Sequence, residues 1–166
     1  MKFVDFGQLF LRYDGPLVAA APYPGGDGRA FGTGTGWIDN RIIRGALRWT
    51  NIPTVRSDGV VLSEFNGIIE PDEDGAVLFR LHGYAIPSAG EGPGLRINRD
   101  TLLRLVFVSQ ADEYAELNNV VAMVEGVVLN REERLIGFRA YQCLFELPDP
   151  SAFLPEAVDQ AVRTFR

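Results

Sequence analysis

Cysteine, lysine and histidine each occur once in this chain of 166 residues, as Cys143, Lys2 and His82. A single cysteine excludes an internal disulfide and a thiolate metal cluster. Its setting, Tyr141-Gln142-Cys143-Leu144-Phe145, is that of a core thiol. A single histidine means that any nucleophile–histidine–acid triad must use His82, and no serine or cysteine sits in a nucleophile-elbow context. No carboxylates are spaced around His82 to complete a metal site, so none is expected. No apolar run approaches the ~20 residues of a membrane span. The start, Met1-Lys2-Phe3-Val4-Asp5-Phe6, meets a charge too early for a secretory signal, so a cytoplasmic protein is expected.

Positive charge is also scarce. Sixteen basic residues face 22 acidic ones, a net charge of −6, which argues against a nucleic-acid partner. With Lys2 alone, nearly all the cations are arginines, whose forked guanidinium suits fixed ion pairs with carboxylates.

The 18 glycines and 10 prolines fall between short apolar stretches, the punctuation of an all-β chain. Val4–Tyr13 alternates, with Val4, Phe6, Gln8 and Phe10 on one face and Asp5, Gly7, Leu9 and Leu11 on the other. Ala30–Ile38 carries glycine at every second position from Gly32 to Gly36, a bare face suited to a close neighbour. Strands are also predicted at Ile42–Thr50, Val60–Glu70, Ala76–Ile86, Leu102–Val108, Val120–Leu129 and Gly137–Leu147. Asp74-Gly75 supplies a hairpin turn, and Ala111–Leu117 resembles a short helical turn. In Ser151–Phe165, Leu154, Val158, Val162 and Phe165 recur at helical spacing after an early Pro155.

About eight short strands without αβ alternation predict one domain over residues 1–166. Residues 1–147 form a closed antiparallel up-and-down β-barrel and residues 151–165 a C-terminal helix; a β-sandwich is the alternative.

Several groups could carry chemistry. Gly32-Thr33-Gly34-Thr35-Gly36 lacks the lysine of a phosphate loop and the strand–turn–helix of a dinucleotide site, so it reads as structure. Arg44 and Arg48 share a strand face and need carboxylate partners if it points inward; Glu64, Glu70 and Glu125 are candidates. Asp58 precedes Gly59 in a turn, and a loop at a barrel mouth is also where a general base would sit. Arg80, His82 and Tyr84 form one row, able to handle protons or simply exposed. Glu125, inside the run Val120–Val128, reads as a carboxylate on a strand buried on both faces, and so as either a site residue or half of an ion pair.

Taken together, Gly34-Thr35-Gly36, Arg44-Gly45, Trp49, Pro53 and Arg56-Ser57-Asp58-Gly59 form a recognisable pattern. With Gly67-Ile68-Ile69-Glu70, Asp74-Gly75-Ala76, Gly83-Tyr84, Asp112-Glu113-Tyr114, Leu117-Asn118 and Glu125-Gly126, it resembles the bacterial and fungal family catalogued as domain of unknown function 3237. The resemblance spans Phe31 to Phe145 and touches Arg44, Trp49, Arg56, Asp58, Asn118 and Gly126. His82 departs from it, since many members have arginine there. It implies a compact, often self-associating barrel. A few fungal members steer ring closures of polyketide or aromatic compounds without a cofactor.

The expected function is therefore a cofactor-independent cyclase, isomerase or lyase acting on a hydrophobic, oxygenated small molecule held in the barrel. Asp58 or Glu125 would be the general base, with Arg56, Arg44 and Tyr84 polarising developing oxyanions. Trp49, His82, Tyr114 and Asn118 would join Arg44 in binding substrate. The protein is expected to form a homo-oligomer, a dimer. Two alternatives stay open: a non-catalytic small-molecule carrier, and a structural homo-oligomer whose barrel interior is packed shut.

Overall fold

A computed structural model describes residues 1–87, 99–130 and 132–145; for Pro87, Arg99 and Asp100 it describes the backbone only. The helix expected over 151–165 lies outside these residues. Ten strands follow in order: β1 (Lys2–Tyr13), β2 (Val18–Ala20), β3 (Gly28–Asp39), β4 (Arg44–Asn51), β5 (Thr54–Val55), β6 (Val61–Pro71), β7 (Val77–Pro87), β8 (Arg99–Val108), β9 (Val121–Asn130) and β10 (Leu135–Leu144). A 3-10 helix, Asp112–Asn119, lies between β8 and β9.

Every pairing is antiparallel, and the eight long strands are neighbours in chain order. β1 pairs β10 on one side and β3 on the other, which closes the sheet into an up-and-down barrel. That closure removes the sandwich alternative and leaves no free edge in the ring. β2 and β5 are short additions alongside β3.

Period-two alternation sends one residue in two inward, and the inward set forms one apolar cluster that includes Leu9, Leu11, Leu47, Ile69, Leu81, Leu103 and Leu105. Tyr114 and Leu117 of the 3-10 helix are buried with that cluster. On β1 the expected faces are corrected by a bulge. The pairing register with β10 shifts between Asp5 and Gly7, and Gly7 takes a φ of 122°. The extra residue puts Phe6 into the same core as Leu9 and Leu11, rather than with Gln8 and Phe10.

The glycine-faced strand points inward, and the reason is aromatic. Gly34, Trp49, Gly67 and Phe79 lie side by side across β3, β4, β6 and β7. A Cβ on Gly34 would collide with the Trp49 ring, and one on Gly67 with the Phe79 ring. The same holds between Gly126 and Phe138. Each bare position makes room for a neighbour's ring, and Trp49, Phe79 and Phe138 join Phe6, Phe65, Phe107 and Tyr114 as nearly fully buried rings of one inward cluster.

Gly34→Ala should therefore cost about 1–3 kcal/mol by overpacking, while Ala at the adjacent outward Thr33 should change stability little. Thermal denaturation of the two variants makes the comparison.

Candidate functional site

The residues singled out in the sequence separate into two groups once placed on the barrel. Asp58 and Arg56 lie in the turn between β5 and β6, both exposed, and pair with each other. Asp58 Oδ1 also accepts the Val60 N–H at 3.1 Å. This carboxylate shapes a surface turn on the outside of the barrel. Arg44 faces outward, its guanidinium 5.5 Å above the Trp37 ring and 3.7 Å from Asp72. Arg48 is likewise outward and pairs with Glu70. Trp49 points inward and donates its indole N–H to the Thr35 carbonyl at 3.0 Å. Its ring packs edge-on against Tyr13 and Phe65.

Tyr114 and Asn118 serve the closed end of the barrel. Burial, and then the charges of Glu113, Glu73, Asp72 and Asp74, hold the Tyr114 phenol above its ordinary pKa. Asn118 Oδ1 accepts the Ser109 N–H at 2.7 Å while its Nδ2 donates to the Ser109 carbonyl at 2.9 Å. One side-chain amide thus replaces a strand partner and pins the 3-10 helix to the end of β8. Arg44, Trp49, Arg56, Asp58 and Asn118 hold the architecture in these contacts.

Tyr84 and Glu125 do come together. Both face outward, as do Arg80 and His82, so the Arg80–His82–Tyr84 row lies on an exposed face. Arg80 donates to Glu64 at 2.7 Å. Glu125 is exposed rather than buried on both sides, which corrects the expectation of an embedded carboxylate. Its strand looked two-sided because its outward residues Val127 and Leu129 are apolar and 62% and 52% exposed.

Tyr84, Glu125, Val127 and Leu129 help wall a groove of 910 Å³ on the outside of the barrel, across β7, β8, β9, β10 and β1. Phe10, Tyr84, Ile86, Leu102, Val127 and Leu129 form its apolar surface. Gly137 makes the depression: it stands opposite both Phe10 and Val127 and carries no side chain between them. Across the groove the register places Tyr84, Leu102, Glu125, Arg139 and Gln8 on one line. Directly opposite residues have Cβ atoms ~5 Å apart, so an acid, a guanidinium and an amide lie along one apolar wall with a phenol at its end.

Sequence reasoning passed over Gln8, Arg139 and Gly137. It also missed an inward polar layer at the barrel end opposite the 3-10 helix. Asn51 donates to the Tyr13 hydroxyl at 2.8 Å and accepts the Glu64 N–H at 3.0 Å, and Ser63 is buried on the neighbouring β6. Continuing the inward face Gly45–Leu47–Trp49 by two residues would have found Asn51. Among the described residues no cluster of potential metal ligands occurs. No described helix is long and apolar enough to cross a membrane.

A closed meander of this kind, with a packed lumen and a concave outer wall, is β-barrel-like. Neither a family model nor a curated protein matches the chain. Solved structures do match. A β-barrel-like protein from Acinetobacter baumannii is 16% identical with a TM-score of 0.72, over 85% of this chain and 94% of that one. A conserved protein of unknown function from Rhodopseudomonas palustris is 15% identical with a TM-score of 0.71, over 86% and 97%. An enzyme from Penicillium herquei is 18% identical with a TM-score of 0.56, over 84% and 98%. At these identities the likeness establishes the fold.

Two outcomes follow from the placed residues. Asn118→Ala strands both polar groups of Ser109 and should cost about 1–3 kcal/mol, read by chemical denaturation. Burial, opposed by the bond from Asn51, raises the Tyr13 pKa above its ordinary 10.0. The unfolded chain then loses this proton first, so the folded state loses stability as pH climbs beyond 10.0. Tyr13→Phe should lose less stability over that alkaline interval than the parent, measured by denaturation at stepped pH.

Proposed function

We propose that this protein binds a hydrophobic, oxygen-bearing small molecule in the outer groove and turns it over without a cofactor, by proton transfer, as an isomerase, cyclase or lyase. The observation that carries this reading is the groove itself. It is apolar, of ligand size, and holds one carboxylate with a phenol and a guanidinium on the same register line. In this scheme Glu125 removes a proton from carbon, and Tyr84 and Arg139 stabilise the oxyanion that develops beside it. The family resemblance, with its cofactor-free ring closures of polyketide and aromatic compounds, supports the same chemistry, and one structural neighbour is itself an enzyme.

A carrier without turnover is the second reading. Its support is the exposure of Glu125 to solvent, because a base in open water gains little from the protein around it. Self-association is part of the proposal. β2, whose three residues are all exposed beside exposed Leu17 and Phe31, offers an uncharged strand to a second copy.

The deciding experiment incubates the purified protein with aromatic and polyketide-like ketones and follows mass and retention, with no cofactor added. Glu125→Gln should lower turnover by roughly 10²–10⁴ while leaving binding intact. Gly137→Leu should block binding by filling the depression, and the three atoms nearest the new Cβ all belong to the movable side chain of Leu129. Binding without conversion in the parent protein would establish the carrier.

A further inference from the structure

The outer wall beside the groove carries positive charge that the described acids do not answer. Leu102 lines the groove. Arg104 stands two residues further along β8 on the same exposed face, about 7 Å away. Its register partner on β7 is His82, and the acid opposite His82 on β6, Glu64, is already held by Arg80. Across β9, Arg104 faces Met123, which is uncharged. Arg104 is in none of the ion pairs formed among the described residues. On the far side of the groove, Arg139 has Asp5 at 3.6 Å. In a chain of net charge −6, a guanidinium without an acid partner among the described residues stands next to an exposed apolar wall.

Resting on the groove reading above, we propose that the ligand carries a carboxylate, held by Arg104 with His82 beside it, while its apolar body covers Leu102, Val127 and Ile86. A carboxylate matches the guanidinium fork with two parallel hydrogen bonds. Glu125, opposite Leu102, supplies the orientation. It repels the ligand's anionic head toward Arg104 and leaves the uncharged end along the line of Glu125 and Arg139. The substrate class is thus a hydrophobic ketone that also bears a carboxylate.

Two fluorescent probes with the same apolar body test this: pyrenebutyrate, with a carboxylate head, and pyrenebutanol, with a hydroxyl. The parent protein should bind the acid tighter than the alcohol by roughly threefold to tenfold at low salt, with the gap narrowing as salt is added. Arg104→Gln, at an exposed position, should abolish the gap and leave pyrenebutanol binding unchanged. Val127→Trp, which fills the groove from its exposed wall, should weaken both probes. Equal affinity for the two probes, or a preference that survives Arg104→Gln, overturns the carboxylate inference, and the groove stands as long as Val127→Trp weakens both. If Val127→Trp changes neither affinity, the groove reading fails and this inference with it.

Discussion

Trp49 lies over Gly34 and Phe79 over Gly67 because the chain withholds a side chain wherever a ring must lie flat. An eight-stranded barrel has an interior only just wide enough for side chains to fill, and three such ring-on-glycine contacts, with Phe138 over Gly126, fill much of it. Closure by the β1–β3 pairing depends on the same device. Gly36 and Gly34 sit opposite Leu11 and Tyr13 along that seam, where a Cβ would meet the backbone of β1. Gly34 therefore serves both the seam and the core.

The described inward residues form one apolar cluster, and the concave surface described above lies on the outer wall. There the curvature of the sheet and one missing side chain, Gly137, make the groove. Ion pairs follow the same division. Arg41–Glu116, Arg44–Asp72, Arg48–Glu70, Arg56–Asp58, Arg80–Glu64 and Arg139–Asp5 all lie on exposed side chains, where each adds little stability. The arginine-rich composition thus dresses the outside of a barrel whose stability comes from burial.

Much of this was legible in the chain and some was not, for specific reasons. Alternation located the eight long strands, because half-buried strands leave a period of two wherever one face is packed. It failed at Phe6, where one extra residue at the Gly7 bulge inverts the faces, and no alternation rule anticipates an insertion. The run Val120–Val128 was seen as unusual and misread. An apolar outer face produces the same pattern as burial on both sides, and only the fold tells a groove wall from a core strand. The resemblance drew attention to Arg44, Asp58 and Asn118, but a resemblance in sequence does not separate residues that hold a turn or a helix from those that meet a ligand. Arg139 and Gln8 carried no local signal at all, since they meet Glu125 through pairings between strands far apart in sequence.

The groove's line of polar groups is a product of register and not of any one segment. Tyr84 belongs to the hairpin partner of β6, Glu125 to the strand after the 3-10 helix, Arg139 to the last described strand and Gln8 to the first. Slipping any one strand by a single residue would turn its member of the line toward the core. The Gly7 bulge and the Asn118 clamp on Ser109 are therefore tied to the site although neither lines it. The bulge sets the phase in which Gln8 meets Arg139, and the clamp anchors the 3-10 helix through which β8 leads into β9 and Glu125. Residues that hold the barrel together thereby also decide which side chains face the groove.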